Sequence, residues 1–233
     1  LKAFLALFFI SIYSYMFISF SEMEPLYKIN DLTESIIGVS NIVGSLLVLG
    51  LPMGMYSIFL EQERNKSEKL LHNIMPKSIA EKLKNNIKTI SMDNPEISVL
   101  FVDIVSFTEM SEKISSEKIV GFLNDMFSQF DDLTETYGVE KIKTIGDSYM
   151  VVSGMPVQKE DHALTLFNLA KEMIKISAQF KDHNGNPIKL RIGINSGPAI
   201  SGVIGKSKFA FDVWGDTINT AARLESYGSP DCI

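Results

Sequence analysis

Residues that build disulfide frameworks and zinc sites are scarce in this 233-residue chain. Its single cysteine is Cys232, so no disulfide can form within one chain, and a reducing compartment is the simpler interpretation. The three histidines, His72, His162 and His183, are far apart and fit no metal-ligand spacing. These shortages exclude a disulfide-stapled secreted domain and give no support to a zinc site.

Basic charge is also in short supply. The chain has 22 Lys and Arg residues against 28 Asp and Glu residues, which gives a formal net charge of −6 at pH 7. Proteins that bind nucleic acid need a basic surface to neutralise phosphates. The composition therefore predicts that nucleic acid is not a partner.

Charged residues are missing altogether from two long apolar stretches near the beginning of the chain. A helix needs about 20 apolar residues to cross the core of a bilayer. We therefore predict a membrane region over residues 1–60, with transmembrane helices at about 3–20 and 36–60. A signal peptide is the alternative for the first stretch, although that stretch lacks a small-residue cleavage pattern and a second span follows it.

The charges that flank these stretches predict their orientation. The connection between them holds four acids and only one cation, Lys28, whereas basic residues are frequent from Arg64 to Lys88. Because basic flanks face the cytosol, we expect everything from about residue 61 onward to be cytosolic. The chain is then an integral protein of a plasma or inner membrane.

Residues 61–90 are charged and rich in helix formers, which indicates a helical signalling linker. Pro76 should interrupt this helix, and the segment after it places Ile79 and Leu83 on one face. The heptad pattern is weak. A short parallel coiled coil between two subunits and a solvated linker both remain open.

Residues 91–233 alternate between strand-like and helix-like patterns. We predict strands at 96–104, 140–145 and 148–152, helices that begin near Glu117 and Asp161, a hairpin that turns at 195–197, and a last strand and helix at 209–214 and 216–226. Asp216 is the expected N-cap of that helix. The order βαββαβ predicts an α+β, ferredoxin-like domain with two helices on one face of an antiparallel sheet and the other face free for chemistry.

Two acids fall at chemically interesting places in this domain. Asp103 ends an apolar strand, and Asp147 occupies the tight turn after Gly146. If neighbouring strands bring them together, their charges repel unless a cation lies between them, and Mg²⁺ prefers carboxylates together with phosphate oxygens. The alternative is that Asp147 only forms a turn and Asp103 only caps a helix.

Four other polar residues are candidates for binding a substrate. Asn219 and Arg223 share a helix face and suit a ribose and an anionic transition state, although a surface Arg paired with an acid is the usual case. Lys143 and Asp212 offer a donor and an acceptor for a purine edge, but Lys141 and Lys143 are expected on one strand face, where a solvated lysine stripe is the alternative. Arg191, a cation in an apolar strand, predicts an anionic partner.

Four stretches in this order resemble class III adenylate and guanylate cyclases: VLFVDIVSFT (99–108), EKIKTIGDSYMVVSG (140–154), LRIGINSGPAISGVIG (190–205) and FDVWGDTINTAARLES (211–226). The resemblance implies that Asp103 and Asp147, helped by the Ile104 carbonyl, bind two Mg²⁺ or Mn²⁺ ions. It further implies that Phe107, Thr108 and Arg191 contact the triphosphate, and that Lys143 and Asp212 select the purine. Asn219 would orient the ribose, and Arg223 would stabilise the transition state.

The resemblance also implies an activity and an assembly. A membrane-anchored adenylate cyclase would convert ATP to 3′,5′-cyclic AMP and pyrophosphate in intracellular signalling, at sites built across a homodimer interface. Guanylate cyclases carry Glu and a small residue such as Cys where this chain has Lys143 and Asp212. A guanylate cyclase and a non-catalytic nucleotide-binding receptor subunit are the alternatives. The family's distal phosphate-binding lysine and final strands are expected beyond Ile233, so the domain should be incomplete at that end.

Overall fold

The computed structural model of the chain describes residues 30–72, 74–84, 90–205 and 208–233, together with positions 11, 12, 14, 15 and 19. The chain divides into two compact units, Leu1–Asn65 and Lys66–Ile233. Of the predicted first span, the five isolated positions are helical, and the remainder lies outside the described residues.

The second predicted span lies within helix α1, Asp31–His72. Its most apolar 18-residue window has a mean hydropathy of 2.0, and none of that window is buried against the rest of the protein. Within the described part of the chain, α1 is the one helix whose length and composition would let it cross a membrane.

The predicted interruption at Pro76 is confirmed, because α1 ends at His72 and helix α2 spans Lys77–Lys84. Proline lacks the backbone N–H that a continuing helix needs. The Pro76 carbonyl instead accepts hydrogen bonds from the N–H groups of Ile79 and Ala80 at the start of α2. The apolar face of α2 packs into a core, where Ile79 and Ala80 are fully buried and Leu83 is partly buried.

The predicted α+β order is confirmed in the second unit. Its remaining elements are β1 (Ser91–Ile104), α3 (Phe107–Lys113), α4 (Ser116–Tyr137), β2 (Glu140–Ile145), β3 (Ser148–Ser153), α5 (His162–Ser177), β4 (Leu190–Ile204), β5 (Ala210–Trp214) and α6 (Asp216–Tyr227). The sheet has the order β2-β3-β1-β4-β5, and all neighbouring strands are antiparallel. The central strand is therefore β1, whose next-to-last residue is the predicted acid Asp103.

Side chains alternate along β1 between two apolar cores. Leu100 and Val102 face a core built with α4 and α5, whereas Val99 and Phe101 face a second core that contains residues of α2 and α6. The two predicted helices thus cover one face of the sheet. The expectation that the other face is free is wrong, because α2 and α6 pack there.

Strand β1 begins five residues earlier than the predicted residue 96. The pairing of β1 with β4 shifts register between Asn94 and Ile97, which places Pro95 in an irregular step of the ladder. A β-bulge tolerates a proline because its residue need not donate to the neighbouring strand. Pro95, which precedes the predicted strand, therefore lies within the observed one.

The predicted hairpin at 195–197 is wrong, because β4 runs without a turn from Leu190 to Ile204. Strand β1 pairs with β4 from Leu190 to Gly202. An extended β4 backbone keeps its hydrogen bonds to β1, whereas a turn would break them. Of the polar residues that suggested a turn, Ser196 hydrogen-bonds to Ser98 of β1 and Asn195 contacts the start of α6. The Asn195 side chain donates to the Thr217 carbonyl, and Thr217 Oγ1 donates to the Pro198 carbonyl.

The helix ends follow the sequence closely with one exception. Gly138 ends α4 in the left-handed conformation (φ 58°), as its position predicts. Helix α5 begins at His162 after Asp161. Asp216, however, is the first residue of α6, and Gly215 is the N-cap. Asp216 forms no cap, but an acid in the first turn still favours the helix dipole.

Helix α6 lies so close to β4 that only glycine fits beneath it. A Cβ on Gly193 would lie 2.3 Å from the Ala221 carbonyl oxygen and 2.3 Å from the Glu225 amide nitrogen. Backbone atoms at that distance must move, so this contact fixes the spacing between helix and sheet.

We expect Gly193→Ala to lower the free energy of unfolding by about 1–3 kcal/mol, because the helix must shift to admit the methyl group. Gly121→Ala is the matched control, since Gly121 lies in α4 with no atom within 4 Å of its added Cβ. That control should be neutral or stabilising by about 0.5–1 kcal/mol. Urea unfolding of both variants tests this, and equal midpoints would contradict it.

Candidate active site

The carboxyl groups of Asp103 and Asp147 come together at one end of the sheet. Asp103 lies at the end of β1, and Asp147 lies in the turn between β2 and β3, where Gly146 has φ 63°. Burial raises the pKa of Asp147 to about 6, and the nearby charge of Asp103 and a hydrogen bond between the two side chains add to this. The neighbouring carboxylate of Asp103 therefore disfavours the ionised form of Asp147.

Asp103 has a cationic partner on the neighbouring strand. Arg191 is directly opposite Asp103 in the pairing of β1 with β4, and its Nη2 donates to Asp103 Oδ2 at 2.6 Å. The Arg191 Nε donates to Glu225 Oε1 of α6 at 3.2 Å. The prediction of an anionic partner for Arg191 is thus confirmed twice.

The backbone that follows Asp103 contacts the acid pair and then turns into a helix. The N–H of Ile104 donates a hydrogen bond to the Asp147 carboxylate, which opposes the rise in its pKa. Ser106 then adopts a left-handed conformation (φ 58°) before α3 begins at Phe107. Phe107 is partly buried against the core that is built with α4 and α5, and Thr108 is exposed. Two of the predicted phosphate-binding residues, Phe107 and Thr108, therefore lie on the first helical turn after Asp103.

The predicted purine-binding residues form a second cluster. Lys143 Nζ donates to Asp212 Oδ2 at 2.5 Å, although β2 and β5 are opposite edges of the sheet order. Both residues line a cavity of about 520 Å³ together with Asn219, Trp214 and Ile218. The structure thus brings Asn219, which the sequence analysis paired with Arg223, beside the proposed purine-binding pair. Neither Asp103 nor Asp147 lines this cavity.

The expectation that Lys141 and Lys143 share a strand face is wrong. Lys141 Nζ donates to Asp131 of α4 at 2.5 Å and lies 4.9 Å from the centre of the Tyr149 ring. Lys143 bonds to Asp212 of β5 instead. The register of β2 with β3 shifts between the two lysines, so Ile142 is an extra residue and side-chain alternation is interrupted. A solvated lysine stripe is therefore excluded.

Arg223 lies one helical turn after Asn219 on α6, and both residues are exposed. Within the part of the chain that the structure describes, no acid forms an ion pair with Arg223. The guanidinium is therefore accessible for an anionic ligand.

Sequence reasoning missed Glu225. This carboxylate is 8% exposed and faces the sheet from α6, next to Arg191. Burial, followed by the charge of Asp103, raises its pKa. Glu225 follows the buried Ala221 by four residues, so the two share the inner face of the helix. This spacing is the sequence signal from which the position of Glu225 could have been predicted.

The comparisons with known proteins agree with this geometry. The family model of the adenylate and guanylate cyclase catalytic domain matches residues 90–233. An adenylate cyclase of Mycobacterium tuberculosis is 47% identical over 171 residues, which cover 73% of this chain and 39% of that protein. Guanylate cyclase soluble subunit beta-2 of Rattus norvegicus is 41% identical over 170 residues, 72% of this chain and 25% of that protein. This chain therefore spans well under half the length of these relatives.

Solved structures give the same result. The catalytic core of a rhodopsin-guanylyl cyclase with converted specificity, in complex with ATPαS, is 38% identical with a TM-score of 0.58 over 60% of this chain and 77% of that chain. An adenylyl cyclase of P. aeruginosa is 26% identical with a TM-score of 0.55 over 60% of this chain and 76% of that chain. Both substrate classes thus occur among the similar proteins.

We expect Asp147→Asn to stabilise the metal-free protein at alkaline pH. The folded-state pKa of Asp147 is raised to about 6 from 3.8, so its contribution to stability is complete below about pH 4 and is lost as pH rises through 6. The amide avoids that loss. Since Asp147 is partly solvated, the gain at pH 8 in EDTA should be about 1 kcal/mol and should vanish near pH 4. Urea unfolding at both pH values measures it, and a pH-independent difference would refute it.

Proposed function

The chain belongs to the adenylate and guanylate cyclase catalytic domain family, and from this premise we propose that it is a membrane-anchored adenylate cyclase that converts ATP to 3′,5′-cyclic AMP and pyrophosphate. The observation that carries the proposal is that Asp103 and Asp147 lie together beside Arg191. Two acids that can hold a metal ion and a cation that can contact phosphate are thus found at one place.

The acid pair fits a divalent-metal site. The charge of Asp103 contributes to the raised pKa of Asp147, and a cation between two such carboxylates would bind readily because it removes their repulsion. Among the described residues, no three His, Cys, Asp or Glu side chains form a complete metal cluster, so other ligands would come from the Ile104 carbonyl, phosphate oxygens and water. We assign these residues to two Mg²⁺ or Mn²⁺ ions. When bound, such ions lower the pKa of the ribose 3′-hydroxyl and offset the charge of the triphosphate.

The neighbouring residues have positions that suit the triphosphate. Arg191 presents a cation beside the acids and is held in place by Glu225 on its other side. Phe107 and Thr108 begin α3, where unpaired backbone N–H groups can receive phosphate oxygens. We assign these three residues to holding the phosphates while the 3′-oxygen attacks the α-phosphorus and pyrophosphate leaves.

The second cluster would read the nucleoside. The ammonium of Lys143 and the carboxylate of Asp212 supply a donor and an acceptor, a combination that complements the edge of adenine. Asn219 lines the same cavity and would orient the ribose. Arg223 would offset the charge that develops in the transition state, for which a planar guanidinium with several donors is well suited.

Two copies of the chain would be needed for each complete site. The nucleoside cavity lacks both metal-binding acids among its lining residues, so we propose that one subunit supplies the acids and its partner supplies the cavity. A two-fold homodimer then has two equivalent sites. Exposed Ile200 and Trp214 lie opposite each other on β4 and β5 and offer apolar surface for such a contact.

The apolar helix α1 supports the membrane anchor, with the catalytic unit in the cytosol. Its 18 most apolar residues are not covered by the rest of the protein, whereas an apolar helix of a soluble core would be buried.

The decisive experiment compares ATP and GTP as substrates for the full-length protein with Mn²⁺. We expect cyclic AMP as the main product, and Asp103→Asn or Asp147→Asn should lower the rate by at least about a hundredfold, because the charge that holds the metal is lost. Lys143→Glu with Asp212→Cys should shift preference towards GTP. Preference of the unmodified protein for GTP would favour a guanylate cyclase, and no cyclic product at high protein concentration would favour a non-catalytic receptor subunit.

The shared site makes a second, independent prediction. Asp103→Asn and Arg223→Ala should each be inactive as homodimers, whereas co-expression should restore about a quarter of the activity, since half of the dimers then carry one intact site. Co-expression of Asp103→Asn with Asp147→Asn is the matched control and should restore nothing, because both changes damage the same half-site. Equal activities in the two mixtures would argue against a site shared between subunits.

A further inference from the structure

We propose that Ile142, the extra residue of a β-bulge in β2, is a positioning residue that aims Lys143 at Asp212 and thereby sets the purine preference. This inference rests on the proposed function, because it concerns the same nucleoside cavity. It adds a residue that lines none of that cavity and acts only through its neighbour in the chain.

The register of β2 with β3 identifies the bulge. Lys141 is opposite Val151 and Lys143 is opposite Met150, so two steps along β2 correspond to one step along β3. Ile142 has no partner in the ladder. Such an extra residue bends the strand and re-aims the side chains on either side of it.

The bulge sends the two lysines to opposite faces of the sheet. Lys141 lies opposite Val151, which belongs to the core formed with α4 and α5, and it bonds to Asp131 of α4. Lys143 lies opposite Met150, which belongs to the core on the other face. Residues two apart in a regular strand share a face. Without the bulge, Lys143 would therefore follow Lys141 and lose Asp212.

An apolar anchor holds the bulge in place. The Ile142 side chain packs against the core that contains Met75 and Phe211. It also lines, with Met75 and Pro76, a cavity of about 670 Å³. Because this cavity leaves space beside Ile142, few other atoms would keep the bulge in one conformation if the side chain were shortened.

The test compares three variants of the full-length protein: Ile142→Ala, the conservative Ile142→Val, and Met92→Ala as a matched truncation in the same core. Met92 is also partly buried against that core but lies on β1, away from the bulge. Two quantities are measured for each, namely kcat and KM for ATP and GTP, and the rate at which acetic anhydride labels Lys143, followed by mass spectrometry. The labelling reports the Lys143–Asp212 contact without requiring activity.

We expect Ile142→Ala to lower the ratio of kcat/KM for ATP over GTP by about tenfold, mainly through a higher KM for ATP, since a weakened charged hydrogen bond costs about this much. Lys143 should be labelled several times faster. Ile142→Val should retain most of the ratio, and Met92→Ala should lower stability while leaving both ratio and labelling unchanged.

The proposal would be overturned if Ile142→Ala reduced stability as Met92→Ala does and left both the nucleotide ratio and the labelling of Lys143 at their original values. Failure of the proposed function looks different. In that case the unmodified protein makes no cyclic nucleotide. The labelling experiment still tests the positioning role, because faster labelling of Lys143 in Ile142→Ala supports that role and unchanged labelling refutes it.

Discussion

Repulsion between the carboxylates of Asp103 and Asp147 is the constraint around which this end of the domain is organised. The sheet holds the two groups together, at the end of its central strand and in the neighbouring turn, although burial and the charge of Asp103 raise the pKa of Asp147. Arg191 compensates Asp103 from one side, and the Ile104 N–H compensates Asp147 from the other. A cation bound between the two carboxylates would remove the remaining repulsion, which is why this arrangement suits the metal site that we propose.

The acid pair is also connected to the packing of α6. Arg191 donates to Asp103 and to Glu225 of the helix, so one guanidinium joins the two acids. Glu225 can reach it because Gly193 allows the α6 backbone to lie directly on β4. A packing contact, a buried acid and a cation are therefore linked in one chain of dependence. Substitutions at the helix–sheet contact should be transmitted to the acids even though they touch no substrate.

The sequence predicted the parts of this arrangement that depend on local patterns. Asp103 and Asp147 were recognisable from a strand end and a Gly-Asp turn, and Pro76 and Gly138 marked helix boundaries because each acts through its own backbone. Features decided by a distant strand were not predictable. Asn195, Ser196 and Gly197 have the composition of a turn, yet pairing with β1 keeps them extended. The opposite faces of Lys141 and Lys143 depend on register with β3, which no alternation within β2 reveals.

The bulge connects the two clusters of the site in a way that neither cluster shows alone. Strand β2 leads directly from Ile142 and Lys143 to the turn that carries Asp147, so the segment that aims the lysine proposed to read the purine also ends at an acid proposed to bind metal. A change in the conformation of the bulge would therefore alter both at once. Because the two clusters of one chain would serve different sites of a homodimer, a disturbance at Ile142 would reach both active sites of the assembly. The short strand Glu140–Ile145 would thus link the nucleoside cavity of one site in such a dimer to the acid pair of the other.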